Sequence, residues 1–166
     1  FLKENYPTLL YSVVVEDEPL GTGGAIRLAL QKTKAEHVLI VNGDTLFKVD
    51  IEKLFEQHTR QNAVCTLALK PQADTERFGT VLIDDENRVI SFQEKNGAAE
   101  GLINGGVYAL DKARFFKHAF PVHFSFEKQY LEACLEEENI TGFVQNSYFI
   151  DIGLPADYER AQQELR

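Results

Sequence analysis

Cysteine is scarce in this sequence, basic runs are missing, and no apolar stretch is long enough to span a bilayer. The two cysteines, Cys65 and Cys134, stand far apart with no C-x-x-C pair. That excludes a dense disulfide framework and points to reduced thiols in a cytoplasmic protein. The four histidines, His37, His58, His118 and His123, show no zinc-type spacing with those cysteines. Lys and Arg total 17 against 26 Asp and Glu, a net charge of −9. A broad nucleic-acid surface needs a basic patch, so that class is excluded. An anionic substrate must then be drawn by local groups or a metal, not by the overall field. No signal peptide, internal repeat or low-complexity segment is visible.

What remains is ordinary globular material, 44% apolar and 26% charged. The length of 166 residues suits one domain. The stretch 37–45 organises the rest. Val38, Leu39, Ile40 and Val41 form a short β-branched run that predicts a strand buried on both faces. Asn42, Gly43, Asp44 and Thr45 then end it. In open α/β sheets, ligands bind beyond the carboxyl ends of strands. A carboxylate at such an end suits Mg²⁺ held against a phosphate, although Asn, Gly and Asp are also common turn residues.

Along the chain, residues 1–6 look like a last helical turn closed by Pro7. A strand is expected at 10–16, a glycine-rich loop at 17–24 and a short helix from Ala25 to Gln31. Asp50 is an N-cap candidate for a helix at 51–61, with Leu54, Phe55 and His58 on one face. Residues 63–69 read as a strand, and 78–83 with 88–95 as an antiparallel hairpin around 84–87. A strand at 102–110 and a short helix at 111–118 follow. Ser125 can cap a helix at 126–138. Strands at 140–145 and 148–152 precede a last helix that starts at Pro155. Strands alternating with helices in the first half argue for a mainly parallel α/β sheet, and the hairpin for an antiparallel addition.

Five places could carry chemistry. Leu20, Gly21, Thr22, Gly23 and Gly24 lie between a strand and a helix, where backbone N–H groups favour anions. The dinucleotide fingerprint is not met, because Ile26 occupies its third glycine position, and a tight turn without ligand fits as well. Glu94 shares a strand face with Ile90 and Phe92 by alternation, and could accept hydrogen bonds from sugar hydroxyls. Lys95 could meet a phosphate as a point charge, while a solvated Glu-Lys pair is the plainer alternative. Asn104, Gly105 and Gly106 interrupt an apolar strand, which suits either a bulge or the close approach of a ligand. Asp151 stands between two isoleucines, an acid to be paired, metal-bound or turned outward.

The order of these signals is more specific than any one of them. From Pro19 to Tyr158 the series resembles the sugar-1-phosphate nucleotidylyltransferase family. It comprises Pro19 to Ala25, Val41 to Thr45, Phe78-Gly79, Phe92 with Glu94-Lys95, Ile103 to Tyr108, Phe124 to Lys128, and Asp151 to Tyr158. Ile103 to Tyr108, Phe124 to Lys128 and Phe149 to Gly153 look most like the branch acting on D-glycero-D-manno-heptose 1-phosphate with GTP. The mannose-1-phosphate branch is similar but usually carries Trp where Phe149 stands.

The resemblance implies a Rossmann-like, GT-A-like fold: a mixed, mainly parallel sheet flanked by helices. It implies that Asp44 and Asp151 hold Mg²⁺. Leu20, Gly21 and Thr22 would lie against the base, with Gly43 and Asp44 completing the nucleotide site. Gly79, Glu94, Asn104 and Gly105 would meet the sugar, and Lys95 its phosphate. Asp44, Lys95 and Asp151 would be the catalytic set. The implied substrates are a nucleoside triphosphate and a sugar 1-phosphate, in the supply of precursors for bacterial surface polysaccharide. Neither nucleic acid nor membrane is an expected partner, and the oligomeric state is left open, a homo-oligomer included.

Members of this family begin with a strand and a Gly-rich loop that carries Arg and Lys and cradles the triphosphate. Residues 1–18 contain no counterpart. The expectation is a fragment whose first strand–loop–helix unit lies upstream, with weak nucleotide binding and little catalysis by itself. Two other readings stay open. One is a non-catalytic nucleotide- or sugar-binding domain. The other is a glycosyltransferase of related architecture, disfavoured because Asp44 has no second acid two residues away.

Overall fold

A computed structural model describes residues 2–75, 77–94 and 100–165. Its frame is β6 (Gly101–Asp111), an 11-residue strand with neighbours on both edges. On one edge it pairs antiparallel with β3 (Cys65–Gln72). On the other edge two strands share its length. β1 (His37–Val41) runs beside its second half, and β4 (Thr80–Ile83) touches its first half at Ile103. β5 (Val89–Gln93) extends the sheet beyond β4 as the expected hairpin, and β7 (Ile140–Val144) pairs parallel with β3. A separate ribbon joins β2 (Thr45–Phe47) to β8 (Phe149–Asp151).

Helices cover both faces of the sheet. On one side Tyr108, Leu110 and Ile140 pack with Leu30, Phe115, Phe126 and Tyr130. Those four come from α2 (Gly21–Leu30), α4 (Lys112–Phe115) and a π-helical segment (Phe126–Glu132). On the other side Ala68, Val107 and Ala109 meet Leu54 of α3 (Ile51–Arg60) and Phe47 of the ribbon. Short helices at the two ends complete the set: α1 (Leu2–Asn5) and α5 (Pro155–Glu164). Local capping behaves as expected. Asp50 accepts from the Lys53 amide at 3.1 Å, Ser125 from the Lys128 amide at 3.2 Å, and Pro155 opens α5.

Four expectations are corrected. The mixed α/β architecture holds, but parallel pairing among the described residues is confined to β3 and β7. β6 runs antiparallel between β1 and β3, so those two point the same way without touching. β1 is half-buried rather than buried on both faces, with Val41 at 59% exposure. Its second edge has no strand partner among the described residues. Residues 10–16 form no strand, and Val13 and Val15 lie open. A lone extended segment has no ladder to satisfy its backbone, whatever its propensity. Finally, α2 begins at Gly21, not Ala25. The Gly23 amide donates to the Phe124 carbonyl at 2.9 Å, and the Phe124 amide returns a bond to Leu20. That loop contact carries the helix start four residues earlier, and it removes one of the N–H groups expected to face an anion.

α3 anchors its polar side in the interior. His58 is 1% exposed and contacts Thr66 Oγ1 through Nδ1 at 2.9 Å and His37 Nδ1 through Nε2 at 3.1 Å. Thr66 continues to Thr141 at 2.8 Å. Burial, reinforced by the neighbouring His37, pushes His58 down from its ordinary value to about 4. The unfolded chain binds a proton near pH 6.5, whereas the folded one resists until about 4. Stability is therefore complete above pH 6.5 and falls as pH drops through that window, by roughly 3 kcal/mol from this residue. Urea unfolding at a series of pH values should show the loss. His58→Gln, which keeps polar contacts without titrating there, should flatten the profile. Equal acid slopes in both proteins would contradict the assignment.

Candidate functional site

The candidate site grows from one irregularity in β6. Pairing with β3 slips between Leu67 opposite Tyr108 and Leu69 opposite Asn104, so β6 bulges at Gly105 and Gly106. Gly106 takes φ +70°, and a Cβ there would stand 2.9 Å from Asn42 Nδ2. The Asn42 amide donates to the Gly106 carbonyl at 2.9 Å, which pins the end of β1 to the bulge. Gly105 is buried beneath Phe47, where a Cβ would sit 2.3 Å from the ring. The bulge therefore holds both the turn that carries Asp44 and the ribbon that follows it.

Asp44 and Asp151 are brought together through that ribbon. Thr45 faces Asp151 in its register, and the Ile152 amide donates to the Asp44 carbonyl at 2.9 Å. The two acids, 107 positions apart in sequence, are thus one ladder step apart. Each has one carboxylate oxygen engaged. Thr45 Oγ1 donates to Asp44 at 3.2 Å, and the Gly153 amide to Asp151 at 2.7 Å. Their side chains line adjoining hollows that share Ile150 as a wall. Asp44 lies with Gly43, Ile152 and Tyr158, and Asp151 with Arg77, Asp157 and Arg160. Among the described residues no third His, Cys, Asp or Glu joins them in a metal-binding group.

A second cleft, of about 480 Å³, opens on the other half of β6. It gathers three expected residues: Gly79, Glu94 and Asn104. Gly79 is wedged against the Gln93 carbonyl, which a Cβ would approach to 2.8 Å. Asn104 is both a bulge residue and a cleft residue. Its Oδ1 accepts from the Gly106 amide at 3.1 Å, and its Nδ2 donates to the Tyr108 hydroxyl at 2.8 Å. Glu94 meets Lys128 at 3.6 Å across the open mouth, a solvated pair of little energetic weight. The expected face of Ile90, Phe92 and Glu94 is corrected. A bulge in the β4–β5 hairpin leaves Ile90 57% exposed, while Val89 and Phe92 turn to the core. Lys95 lies outside the described residues.

At α2, Leu20 is half-buried, and Gly21 and Thr22 are exposed at the helix start. Gly23 is buried under Phe124, where a Cβ would come 2.2 Å from the ring. The glycines thus serve the packing of the 122–126 loop. Thr22 Oγ1 accepts from the Phe126 amide and donates to Glu127, both at 2.9 Å. Glu127, Lys128 and Glu132 also line the second cleft, and no role had been given to them. The available signal was Glu127-Lys128 just after the Ser125 cap, a second Glu-Lys pair like 94–95.

Gly105 lies outside the cleft lining, and its Cα is covered by Phe47. Gly105→Ala should therefore cost about 1–3 kcal/mol by overpacking and lower Tm by several degrees. Differential scanning calorimetry reads it. An unchanged Tm would show that Phe47 does not rest on this glycine.

Comparison with known proteins identifies the family. The nucleotidyl transferase family model matches residues 4–166. A D-glycero-alpha-D-manno-heptose 1-phosphate guanylyltransferase of Aneurinibacillus thermoaerophilus is 48% identical over 166 residues, all of this chain and 72% of the relative. The protein of the same name from Campylobacter jejuni is 40% identical, over 95% of this chain and 69% of its own length. Crystal structures of HddC from Yersinia pseudotuberculosis superpose with TM-scores of 0.87 and, for the complex with GMP-PN, 0.85. Both are 32% identical and cover 99% of this chain and 72% of theirs. The chain belongs to the nucleotidyl transferase family.

Proposed function

We propose that this chain carries the transfer of GMP from GTP to the phosphate of a manno-heptose 1-phosphate, with release of pyrophosphate. The observation that carries the reading is the β2–β8 pairing, which sets Asp44 one ladder step from Asp151. The relatives named for this reaction match all and 95% of this chain, which supports both the transfer and the choice of guanine and heptose.

In the reaction an oxygen of the sugar phosphate attacks the α-phosphorus of GTP. The bond from that phosphorus to the bridging β-oxygen breaks, and its electrons leave with pyrophosphate. Such a step needs alignment and charge neutralisation more than covalent help. Leu20, Gly21 and Thr22 receive the base, and Gly43 leaves room beside Asp44. Gly79, Glu94 and Asn104 receive the sugar hydroxyls, and Lys95 its phosphate.

Asp44 and Asp151 fit a magnesium ion: both offer hard oxygens, each is oriented by one hydrogen bond, and substrate phosphates and water can complete the shell. When bound, the ion supplies the positive charge that a chain of net charge −9 lacks. Two buried free thiols, Cys65 and Cys134, suit the cytoplasm. No described helix is long and apolar enough to cross a membrane.

Pyrophosphate release by the complete gene product, supplied with Mg²⁺, GTP and D-glycero-α-D-manno-heptose 1-phosphate, tests the proposal. Asp44→Asn and Asp151→Asn should each reduce turnover about a hundredfold or more, and EDTA should abolish it. No pyrophosphate from the wild-type protein, or near-normal turnover in both variants, would overturn the reading.

A further inference from the structure

The hollow beside Asp151, of about 160 Å³, is walled by one carboxylate that holds two guanidiniums. Asp157 lies in the first turn of α5, with only 12% of its side chain exposed. Its Oδ2 meets Arg77 Nη1 at 2.7 Å, and its Oδ1 meets Arg160 Nη2 at 3.3 Å. Arg160 is committed further. Its Nε lies 3.6 Å from Glu164, which accepts from the Tyr148 hydroxyl at 2.6 Å. Arg77 is placed differently. Its guanidinium stands 5.7 Å from the Phe78 ring centroid, and Phe78 meets Phe149 edge-on at 5.9 Å. Phe149 in turn meets Phe47 at 5.9 Å, the ring seated on Gly105. The loop before β4 is thereby tied both to α5 and to the β2–β8 ribbon. Two residues beyond Arg77, Gly79 lines the second cleft. Arg77 therefore stands where two sites adjoin: its side chain lines the hollow of Asp151, and its near neighbour in the chain backs the cleft proposed for the sugar.

We propose that Arg77 binds the phosphate of the sugar substrate, and that Asp157 is the positioning residue that aims it. This rests on the nucleotidyl-transfer reading above and adds a second cation, beside Lys95, at the same phosphate. On that reading a sugar held against Gly79 and Asn104 sends its phosphate toward Asp151, and Arg77 lies on that wall. A guanidinium is a planar fork of donors. One nitrogen can rest on Asp157 while the others meet phosphate oxygens. Two guanidiniums on one carboxylate leave a positive excess in the trio, and the Arg77 side chain is 48% exposed toward an incoming anion. Asp74 and Asp151 also face the hollow. The attraction for phosphate is thus local to Arg77, as a chain of net charge −9 requires. The partly sheltered Asp157 and the Phe78 ring hold the fork in one orientation before substrate arrives, which lowers the entropy lost on binding.

The test uses Arg77→Ala, Arg77→Lys and Asp157→Asn in the complete gene product. Arg77→Ala should raise the KM for D-glycero-α-D-manno-heptose 1-phosphate about tenfold and leave the KM for GTP within about twofold. Arg77→Lys keeps the charge but loses the fork, and should fall between wild type and Arg77→Ala. Asp157→Asn keeps the side-chain shape and loosens Arg77, so it should raise the same KM about threefold. Combined with Arg77→Ala it should add no further rise, because Asp157 acts through Arg77. A role confined to pinning α5 would instead lower Tm and the active fraction and leave both KM values unmoved. If Asp157→Asn does not fold, the two variants at the exposed Arg77 carry the comparison. An active wild type with Arg77→Ala at normal KM for the sugar phosphate, or with the KM for GTP raised equally, overturns the assignment. A further rise in the double variant overturns the part given to Asp157. A wild-type protein that releases no pyrophosphate sinks the reading beneath it instead.

Discussion

The bulge of β6 at Gly105 and Gly106 is the constraint on which the rest of the site depends. A strand of 11 residues that paired regularly would be a rigid wall. The slip against β3 turns Asn104 into a corner and bends the strand at the place where β1 ends. Only glycine suits Gly106, with its positive φ against Asn42, and only glycine leaves Phe47 its seat on Gly105. From that single defect follow the anchored turn at Asn42 to Asp44, the docking of the β2–β8 ribbon, and the partition of β6 between β1 and β4.

This arrangement explains how an acidic chain can handle anionic substrates. The overall field opposes them, so attraction has to be local. The ribbon pairs the segment that follows β1 with a segment from the far end of the chain, and two acids arrive one ladder step apart. The second cleft, which we propose for the sugar, sits on the opposite half of the same strand, lined by backbone at Gly79 and by polar side chains. On the proposed placement, two substrates against two halves of one strand need no large movement to meet.

Much of this was legible along the sequence, and the rest was not for definable reasons. Caps were readable because they are local: Asp50 and Ser125 each bond an amide three residues ahead. The hairpin was readable from its turn residues. The Asp44 turn was visible from its strand end, and Asn104 from the glycines beside it. Tertiary effects were hidden. Alternation placed Ile90 with Phe92, and a bulge separated them. Propensity called residues 10–16 a strand, yet a strand exists only with a partner. The glycines of Gly21 to Gly24 suggested an open anion loop, whereas Phe124 occupies the space they leave. Glu127 stayed without a role because its partner Thr22 comes from a distant segment.

The central claim is that Asp44 and Asp151 serve one metal–phosphate site. Its most direct measurement is paramagnetic broadening by Mn²⁺ in place of Mg²⁺, mapped by amide NMR on the complete gene product with GTP present. Joint broadening at Asp44, Thr45, Asp151 and Gly153, with the amides of β5 spared, is the expected result. Broadening at one of the two strands alone, or centred elsewhere, would contradict the shared site.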